Sequence, residues 1–499
     1  MKISLRRFLF GLLLSATTTS VFAIDSATAP RPIPLTRPEM KRFLEDMKER
    51  KERIPLPPLT DADKEKLGER ANSYETRLRY HYMPGGDALP QRGAGGGAAG
   101  GAGGGAGAGG ATPGRGGGGF GGGGGFGRDQ DPDMTLDYAF KTQLFWIVSR
   151  TNNCQYCLGH QESKLLGAGM TEDEIAALDG DWSQHKPSLQ VAYAFARKAT
   201  FEPHRLNNDD IASLRRHYTD KQILEMILSI AGNNSINRWK EGAGIPQSSN
   251  GGNFGARGPG GERPAPTAAP AAGGAHSYLT PTSPQFQNLV TKVAPVKVDP
   301  ATGKTASATT AERPPLESRV EVEKALAAAA NRESRLPLVD EAKTRELLPD
   351  DFPAGSVPNW TRLLATFPTS AKSRIASIRS AEERGDLTPL VKAQVAWIIA
   401  RQDRAWYATG QARARLKALG QTDDEIFALD GDWGSFSPAQ QATFTVARKL
   451  ATTPVVLTDV DVDEAVKQIG PRNVVQLISY TTNRASFDRI TESAGLPIE

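Results

Sequence analysis

The chain has little cysteine, few aromatic residues and no excess of charge of either sign. Only two of its 499 residues are cysteine, which excludes a scaffold held by several disulfides. Aromatic residues make up 7% of the chain, and 60 basic side chains nearly balance 56 acidic ones. No basic stretch interleaved with aromatics occurs, so nucleic acid is not an expected partner. Beyond the N-terminus no apolar run approaches the roughly 18 residues of a membrane span, so we expect no membrane span.

Residues 1–23 have the pattern of an export signal. Arg6 and Arg7 precede a short apolar run, and residues 21–23 (Val-Phe-Ala) fit a signal peptidase site. A buried N-terminal helix is the alternative interpretation. The signal predicts an exported protein, periplasmic or extracellular, whose mature chain starts near Ile24. The paired arginines leave both the general and the twin-arginine export routes open.

A long internal match follows. The sequence Ala-Leu-Asp-Gly-Asp-Trp occurs at residues 177–182 and again at 428–433, which is 251 residues later. The same offset aligns about a hundred residues without a gap, which predicts a tandem duplication. Residues 53–56 and 335–338 also match, at an offset of 282, so the two units are predicted to share their upstream arms. The difference between the offsets is close to the length of a Gly-rich tract, which indicates an insertion into a surface loop.

Both repeats carry apolar residues at helical spacing and no sustained two-residue alternation, so the predicted fold is all-α. Thr171 with Glu174, and Thr422 with Glu425, form capping boxes that predict helix starts. The Gly-rich insertion has no apolar side chains to bury and is expected to be a disordered coil. The predicted segments are a signal peptide (1–23), a charged arm (24–92), the Gly-rich insertion (93–128), a first repeat (129–246), a Gly/Pro/Ala linker (247–281), a second arm (282–380) and a second repeat (381–499).

Both cysteines lie in one short stretch, Asn152-Asn-Cys-Gln-Tyr-Cys-Leu-Gly-His160, which follows one predicted helix and opens another. An asparagine is the expected N-cap. Free N–H groups at a helix start lower the pKa of a thiol, so Cys154 and Cys157 are candidate reactive thiols. His160 lies one helical turn after Cys157 and can act as a base or proton relay. Such a pair can also cycle between dithiol and disulfide.

Three other interpretations of the pair stay open. It can be a static disulfide of an exported protein. It can be two buried thiols without a role. It can be half of a metal site, for which His185 and His217 of the same repeat are the available further ligands.

The motif Asn-Asn-Cys-x-Tyr-Cys-x-x-His, followed by Thr-x-x-Glu-Ile-x-x-Leu and a Trp, resembles the carboxymuconolactone decarboxylase family, and more closely its alkylhydroperoxidase (AhpD-like) branch. The resemblance covers residues 133–246 and, through the repeat, 384–497. It implies an all-α, oligomeric, thiol-dependent enzyme. The decarboxylase branch does not use a cysteine pair.

The resemblance also implies roles for the site residues. Cys157 would be the thiolate that attacks the peroxide. Cys154, nearer the surface, would be the resolving thiol and the residue that contacts the reductant. His160 would take up and return the proton. Two positions depart from the family's pattern. The family's histidine position is Gln161 here, and the position of its glutamate on the preceding helix is Thr142, which cannot serve as an anionic relay.

The second repeat lacks every reactive group. The offset of 251 places Ala405, Ala408 and Gln411 at the positions of the two cysteines and the histidine. The second repeat therefore cannot perform thiol chemistry, and we expect it to act as an internal partner in a pseudo-dimer, with higher homo-oligomers open.

The favoured function is an exported thiol-dependent peroxidase or disulfide reductase. Its expected substrate is a hydroperoxide, its reducing partner is an unidentified thiol protein, and it needs no metal or cofactor beyond the redox-active pair Cys154–Cys157. Two alternatives remain. One is a non-enzymatic scaffold with a structural disulfide, and the other is a decarboxylase-like enzyme without thiol chemistry.

Overall fold

The computed structural model describes residues 50–86, 131–179, 182–247 and 315–499, together with two short strands. The fold is all-α, as predicted. The strands, β1 (Arg31–Pro32) and β2 (Val290–Thr291), have two residues each and pair in parallel. The predicted signal peptide, the Gly-rich insertion and nearly all of the linker lie outside the described residues.

The helices of the first unit and its arm come first in the chain. They are α1 (Asp61–Leu67), α2 (Tyr74–Tyr82), α3 (Tyr138–Asn152), α4 (Gln155–Gly167), α5 (Glu172–Ala177), α6 (Pro187–Phe201), α7 (Asn208–Arg215) and α8 (Asp220–Gly242). Short 3₁₀ turns lie at Gly68–Asn72 and Pro203–Arg205.

The second unit begins with the helices of its arm. Its helices are α9 (Arg319–Ala330), α10 (Glu341–Arg345), α11 (Asn359–Leu364), α12 (Pro368–Glu383), α13 (Pro389–Asp403), α14 (Trp406–Ala418), α15 (Asp423–Ala428), α16 (Pro438–Ala451) and α17 (Asp459–Ala494). Within the described residues no helix is long and apolar enough to cross a membrane.

Helix bounds in the two units follow the offset of 251. The pairs α3/α13, α4/α14 and α5/α15 each begin and end 251 residues apart. The long helix α17 spans the counterparts of both α7 and α8, and it bends at Gly470, where φ is 79°. Pro471 then opens the second part, a position where its missing N–H costs nothing. Both predicted capping boxes are confirmed, at Thr171 and Thr422.

The two units share their hydrophobic interior. One buried cluster combines the first repeat with the part of the second arm that runs from Leu336 to Ile375. The other combines the second repeat with Ile54, Tyr74 and Leu78 of the first arm. Part of each arm therefore packs against the repeat of the other unit, while α9 packs against its own repeat through Val322 and Leu326. Helices α8 and α17 approach closely at Gly242, where an added Cβ would lie 2.7 Å from the Ile478 side chain.

Two buried arginines make reciprocal contacts between the repeats. Arg238 of α8 donates to the carbonyl of Ala451 at 3.1 Å, and Arg489 of α17 donates to the carbonyl of Thr200 at 2.9 Å. Donors and acceptors are each related by 251 residues. The two parts of the chain thus exchange equivalent contacts through this pair of arginines.

The arms repeat this reciprocity at their own offset. Arg53 donates to the carbonyl of Glu241 at 2.6 Å, and Arg335 donates to the carbonyl of Glu492. The two arginines are 282 residues apart, whereas the two acceptors are 251 residues apart. The arms matched in sequence therefore hold the same helix ends in space.

Candidate functional site

The cysteine pair lies at a tight junction between α3 and α4. Asn153 ends α3 in the left-handed conformation, with φ of 60°, and the N–H of Cys154 returns to the carbonyl of Ser149 at 2.9 Å. These features form a Schellman-type helix end. The backbone then turns at once into α4, which places the cysteines at the start of that helix.

Cys154 itself is the N-cap of α4. Its Sγ accepts the N–H of Cys157 at 3.3 Å. The expectation of an asparagine N-cap is wrong, because Asn153 is the residue that ends α3. Asparagine tolerates a positive φ better than most side chains, and an N-cap needs an extended backbone, so the two tasks fall on successive residues.

Cys154 and Cys157 form a disulfide, with Cα atoms 5.3 Å apart. Both are buried: Cys154 is 0% exposed and Cys157 is 2% exposed. The expectation that Cys154 lies nearer the surface is therefore wrong. The junction lies against α8 and the second unit, whose Val455 N–H donates to the carbonyl of Asn152 at 3.2 Å. The second unit thus contacts the junction directly, at the residue that ends α3.

His160 lies on α4, one turn after Cys157, and is half-buried. Tyr156 and Gly159, in the same two turns, are also half-buried. These three residues therefore reach solvent on the outer side of α4, while both cysteines are buried. The structure places all three predicted site residues on one helix start.

A buried polar network, which the sequence analysis did not predict, joins α8 to the end of α3 at this junction. Asn152 donates to Asn234 at 2.9 Å and to Asn237 at 3.0 Å, and Arg238 donates to Asn152 at 3.2 Å. Asn237 also donates to Ser149 at 3.1 Å. The available signal was a set of polar residues within the otherwise apolar pattern of α8. Buried polar groups satisfied in this way hold the junction in one geometry.

Glu241, one turn after Asn237 on α8, is a second residue that sequence analysis missed. Its carboxylate accepts from Arg50 at 3.4 Å, and both side chains are buried. Burial raises the pKa of Glu241, and the neighbouring Arg50 and Arg53 oppose this rise.

The side chains of Thr142 and Gln143 form hydrogen bonds with groups outside the cysteine pair. The hydroxyl of Thr142 donates to the carbonyl of Tyr138 within its own helix at 2.8 Å. Gln143 accepts the hydroxyl of Tyr193 at 2.6 Å. Neither supplies a carboxylate to the cysteine pair.

The two histidines considered as metal ligands lie against aromatic rings. His185 meets Tyr193 with ring centroids 5.3 Å apart, and His217 meets Tyr218 at 6.4 Å. Among the described residues, no group of three or more His, Cys, Asp or Glu is arranged to hold a metal ion.

The second repeat keeps the junction without the sulfur atoms. Arg404 adopts φ of 53°, and the N–H of Ala405 returns to the carbonyl of Ala400 at 2.8 Å. Ala405 offers no side-chain cap. Gln411, at the position of His160, donates to the hydroxyl of Tyr407 at 3.1 Å. The backbone geometry is therefore independent of the disulfide.

Neither the known protein families nor the curated proteins contain a match to this chain.

Proposed function

We propose that this chain is a thiol-dependent peroxidase or disulfide reductase of the AhpD-like type, with Cys154, Cys157 and His160 as its reacting groups. The observation that supports it best is the position of the pair. Cys154 caps α4, and its Sγ accepts the N–H of Cys157, so the pair lies at the helix start, where free N–H donors are found. These donors stabilise a thiolate and make the pair suited to dithiol–disulfide exchange.

The proposed reaction consumes one hydroperoxide and two thiols. The Cys157 thiolate attacks the peroxide, an S–O bond forms and the O–O bond breaks. The alcohol leaves with a proton carried by His160. The Cys154 thiol then gives its proton to the hydroxyl group of the sulfenic acid and attacks its sulfur atom, so that the disulfide forms and water leaves. A dithiol protein restores the pair and is itself oxidised.

Export and pairing belong to the same proposal. We take the signal-like N-terminus to direct the protein to the periplasm or the exterior, where an external dithiol protein would be its reductant. The reciprocal contacts of Arg238 and Arg489 support an internal pseudo-dimer in which the second repeat completes the fold around the first.

A structural bridge within a scaffold protein is the second candidate. Complete burial of Cys154 favours it, because a reductant must reach a sulfur atom in order to exchange with it. In that case the disulfide would only fasten the start of α4.

The test is a stoichiometric one. The full-length protein is reduced, freed of reductant and mixed with one equivalent of an organic hydroperoxide, and thiols and peroxide are followed together. The proposal expects two thiols lost per peroxide, much faster than for free cysteine. Cys157→Ser should be inert, whereas Cys154→Ser should still consume one peroxide and stop at the sulfenic acid. Thiols that react no faster than free cysteine would establish the scaffold instead.

A further inference from the structure

One face of α8 runs along the junction that carries the cysteines. Asn237 contacts Ser149 and Asn152 at the end of α3. Residues four apart share a face of a helix, so the next side chain on this face is Glu241. It follows Asn237 towards the start of α4.

The neighbour of Glu241 confirms that this turn of α8 reaches the cysteine motif. The ammonium of Lys240 lies 4.4 Å from the ring centroid of Tyr156, the residue beside Cys157. The last turn of α8 is therefore next to the first turn of α4.

The second repeat shows where a carboxylate at this position binds. Glu492, the counterpart of Glu241, accepts the N–H of Tyr407 at 3.1 Å. Tyr407 is the counterpart of Tyr156 and the second residue of α14. Arg332 holds the same carboxylate through two bonds, at 2.9 and 3.0 Å. In this repeat, which has no cysteine, the carboxylate is fixed at the helix start.

In the repeat with the cysteines the carboxylate is held more loosely. Its single contact to Arg50 is long, at 3.4 Å, and Oε1 of Glu241 accepts no hydrogen bond from the described residues. A buried carboxyl oxygen without a donor favours the protonated form of the group. The same position is thus fixed where the site is inactive and free to exchange a proton where the sulfur atoms are present.

We propose that Glu241 is the proton-exchanging carboxyl group of the Cys154–Cys157 site. When the thiolate of a dithiol reductant breaks the S–S bond, one sulfur joins the reductant and the other leaves as a thiolate, which takes the proton of Glu241. The second thiol of the reductant then displaces the remaining cysteine, which takes that thiol's proton. On reoxidation the carboxylate takes a thiol proton back. This inference rests on the proposed function for the identity of the reactants.

The electrostatic surroundings agree with this role. Burial raises the pKa of Glu241, Arg50 and Arg53 lower it, and Asp459 raises it further. Other ionisable groups on the packed elements have partners of their own or lie on the outer side of α4. These are Lys240 with Glu75, Arg150 with Asp179, Arg238 with Asn152 and Asn234, Glu162 with the indole N–H of Trp146, and Tyr156, His160 and Lys164.

The test measures the redox equilibrium of the pair against pH. Full-length protein is equilibrated with mixtures of reduced and oxidised dithiothreitol between about pH 5 and pH 9, quenched in acid, unfolded and alkylated, and the disulfide fraction is read by mass. Glu241→Gln is compared with the wild type, and Glu492→Gln is the matched control in the other repeat. We expect the ratio of the equilibrium constants of wild type and Glu241→Gln to change about tenfold across the range, which corresponds to a one-unit change in the pKa of Glu241 between redox states.

The control should follow the wild type at every pH. A constant ratio for Glu241→Gln would overturn the inference, because a merely structural effect shifts the equilibrium equally at all pH values. If that variant does not fold, Glu241→Leu, which also lacks the carboxyl group, replaces it. The ratio of the equilibrium constants of Glu241→Leu and wild type should again vary with pH, and a flat ratio overturns the inference. No peroxide takes part in this measurement, so its outcome is independent of the peroxide assay. If the protein does not consume peroxide but the ratio varies with pH, the peroxidase function is refuted and the role of Glu241 stands.

Discussion

Arg489 joins the two repeats, and its contacts predict how much it contributes to the free energy of unfolding. Its guanidinium is buried and donates to both carboxylate oxygens of Asp403, at 2.7 and 3.1 Å, as well as to the carbonyl of Thr200. Its counterpart Arg238 makes the same inter-repeat contact but has Asn152 in place of the aspartate. The two arginines therefore form a matched pair that differs in one charge.

Arg489→Met should be the more damaging of two equivalent changes. Breaking a buried ion pair from one side leaves Asp403 charged and uncompensated, which costs roughly 3–5 kcal/mol. Arg238→Met leaves only neutral acceptors without a donor, so its cost should be nearer 1–3 kcal/mol. Asp403→Asn should cost less than Arg489→Met, because the first repeat already combines an asparagine with this arginine.

The assay is urea unfolding of the full chain, followed by helical circular dichroism and by tryptophan fluorescence. The shared interior predicts that both signals change together. A double-mutant cycle of Asp403→Asn with Arg489→Met should show a favourable coupling between the two side chains. The cycle of Asp403→Asn with Arg238→Met should show a smaller coupling, because these two side chains are linked only through Arg489 and the Thr453 hydroxyl that both arginines share. Equal costs for the two arginines, with no coupling to Asp403, would refute the reasoning.

Three further predictions follow from the same packing. Burial raises the pKa of Asp488 well above its usual range, so the protonated form stabilises the fold at acidic pH and this stability is lost as pH rises through the raised pKa. Asp488→Asn should flatten the decline in melting temperature that begins as pH rises above the ordinary aspartate range, and an unchanged slope would contradict it. Replacing Cys154 and Cys157 by alanine should lower the free energy of unfolding by about 2 kcal/mol, because the closed loop is short. That variant should keep the helical circular dichroism of the wild type, because the second repeat forms the same junction with alanines at both positions. A loss of helix would contradict this comparison between the repeats. A chain ending near residue 270 should self-associate in light scattering, since α8 would lose its partner α17, and a well-behaved monomer would argue against the pseudo-dimer.

The sequence predicted local features well, because caps and apolar spacing act within a few residues. The capping boxes at Thr171 and Thr422 are examples. The match between the two arms was also informative, since Arg53 and Arg335 make equivalent contacts. What failed was the exposure of Cys154. Helical periodicity shows which face is apolar, whereas the covering element comes from a distant part of the chain.

Glu241 illustrates the same limit. An acidic residue near the end of a helix is usually solvated, and its own neighbours in sequence give no other indication. Its burial depends on Arg50 of the first arm, 191 residues away. A contact of that kind is set by the packing of whole elements rather than by local preference.

The reciprocal arginine contacts join two parts of one polypeptide, and this changes how the pairing responds to dilution. Two separate chains dissociate when their concentration falls, whereas a tethered partner keeps an effective concentration set by the linker. We therefore expect the pairing of the repeats to be the same in a dilute and a concentrated solution. A mutation in a homodimer also enters both copies at once, but here Asn152 and Asp403 are encoded separately. One copy can therefore change its charge or lose its cysteines while the other keeps them.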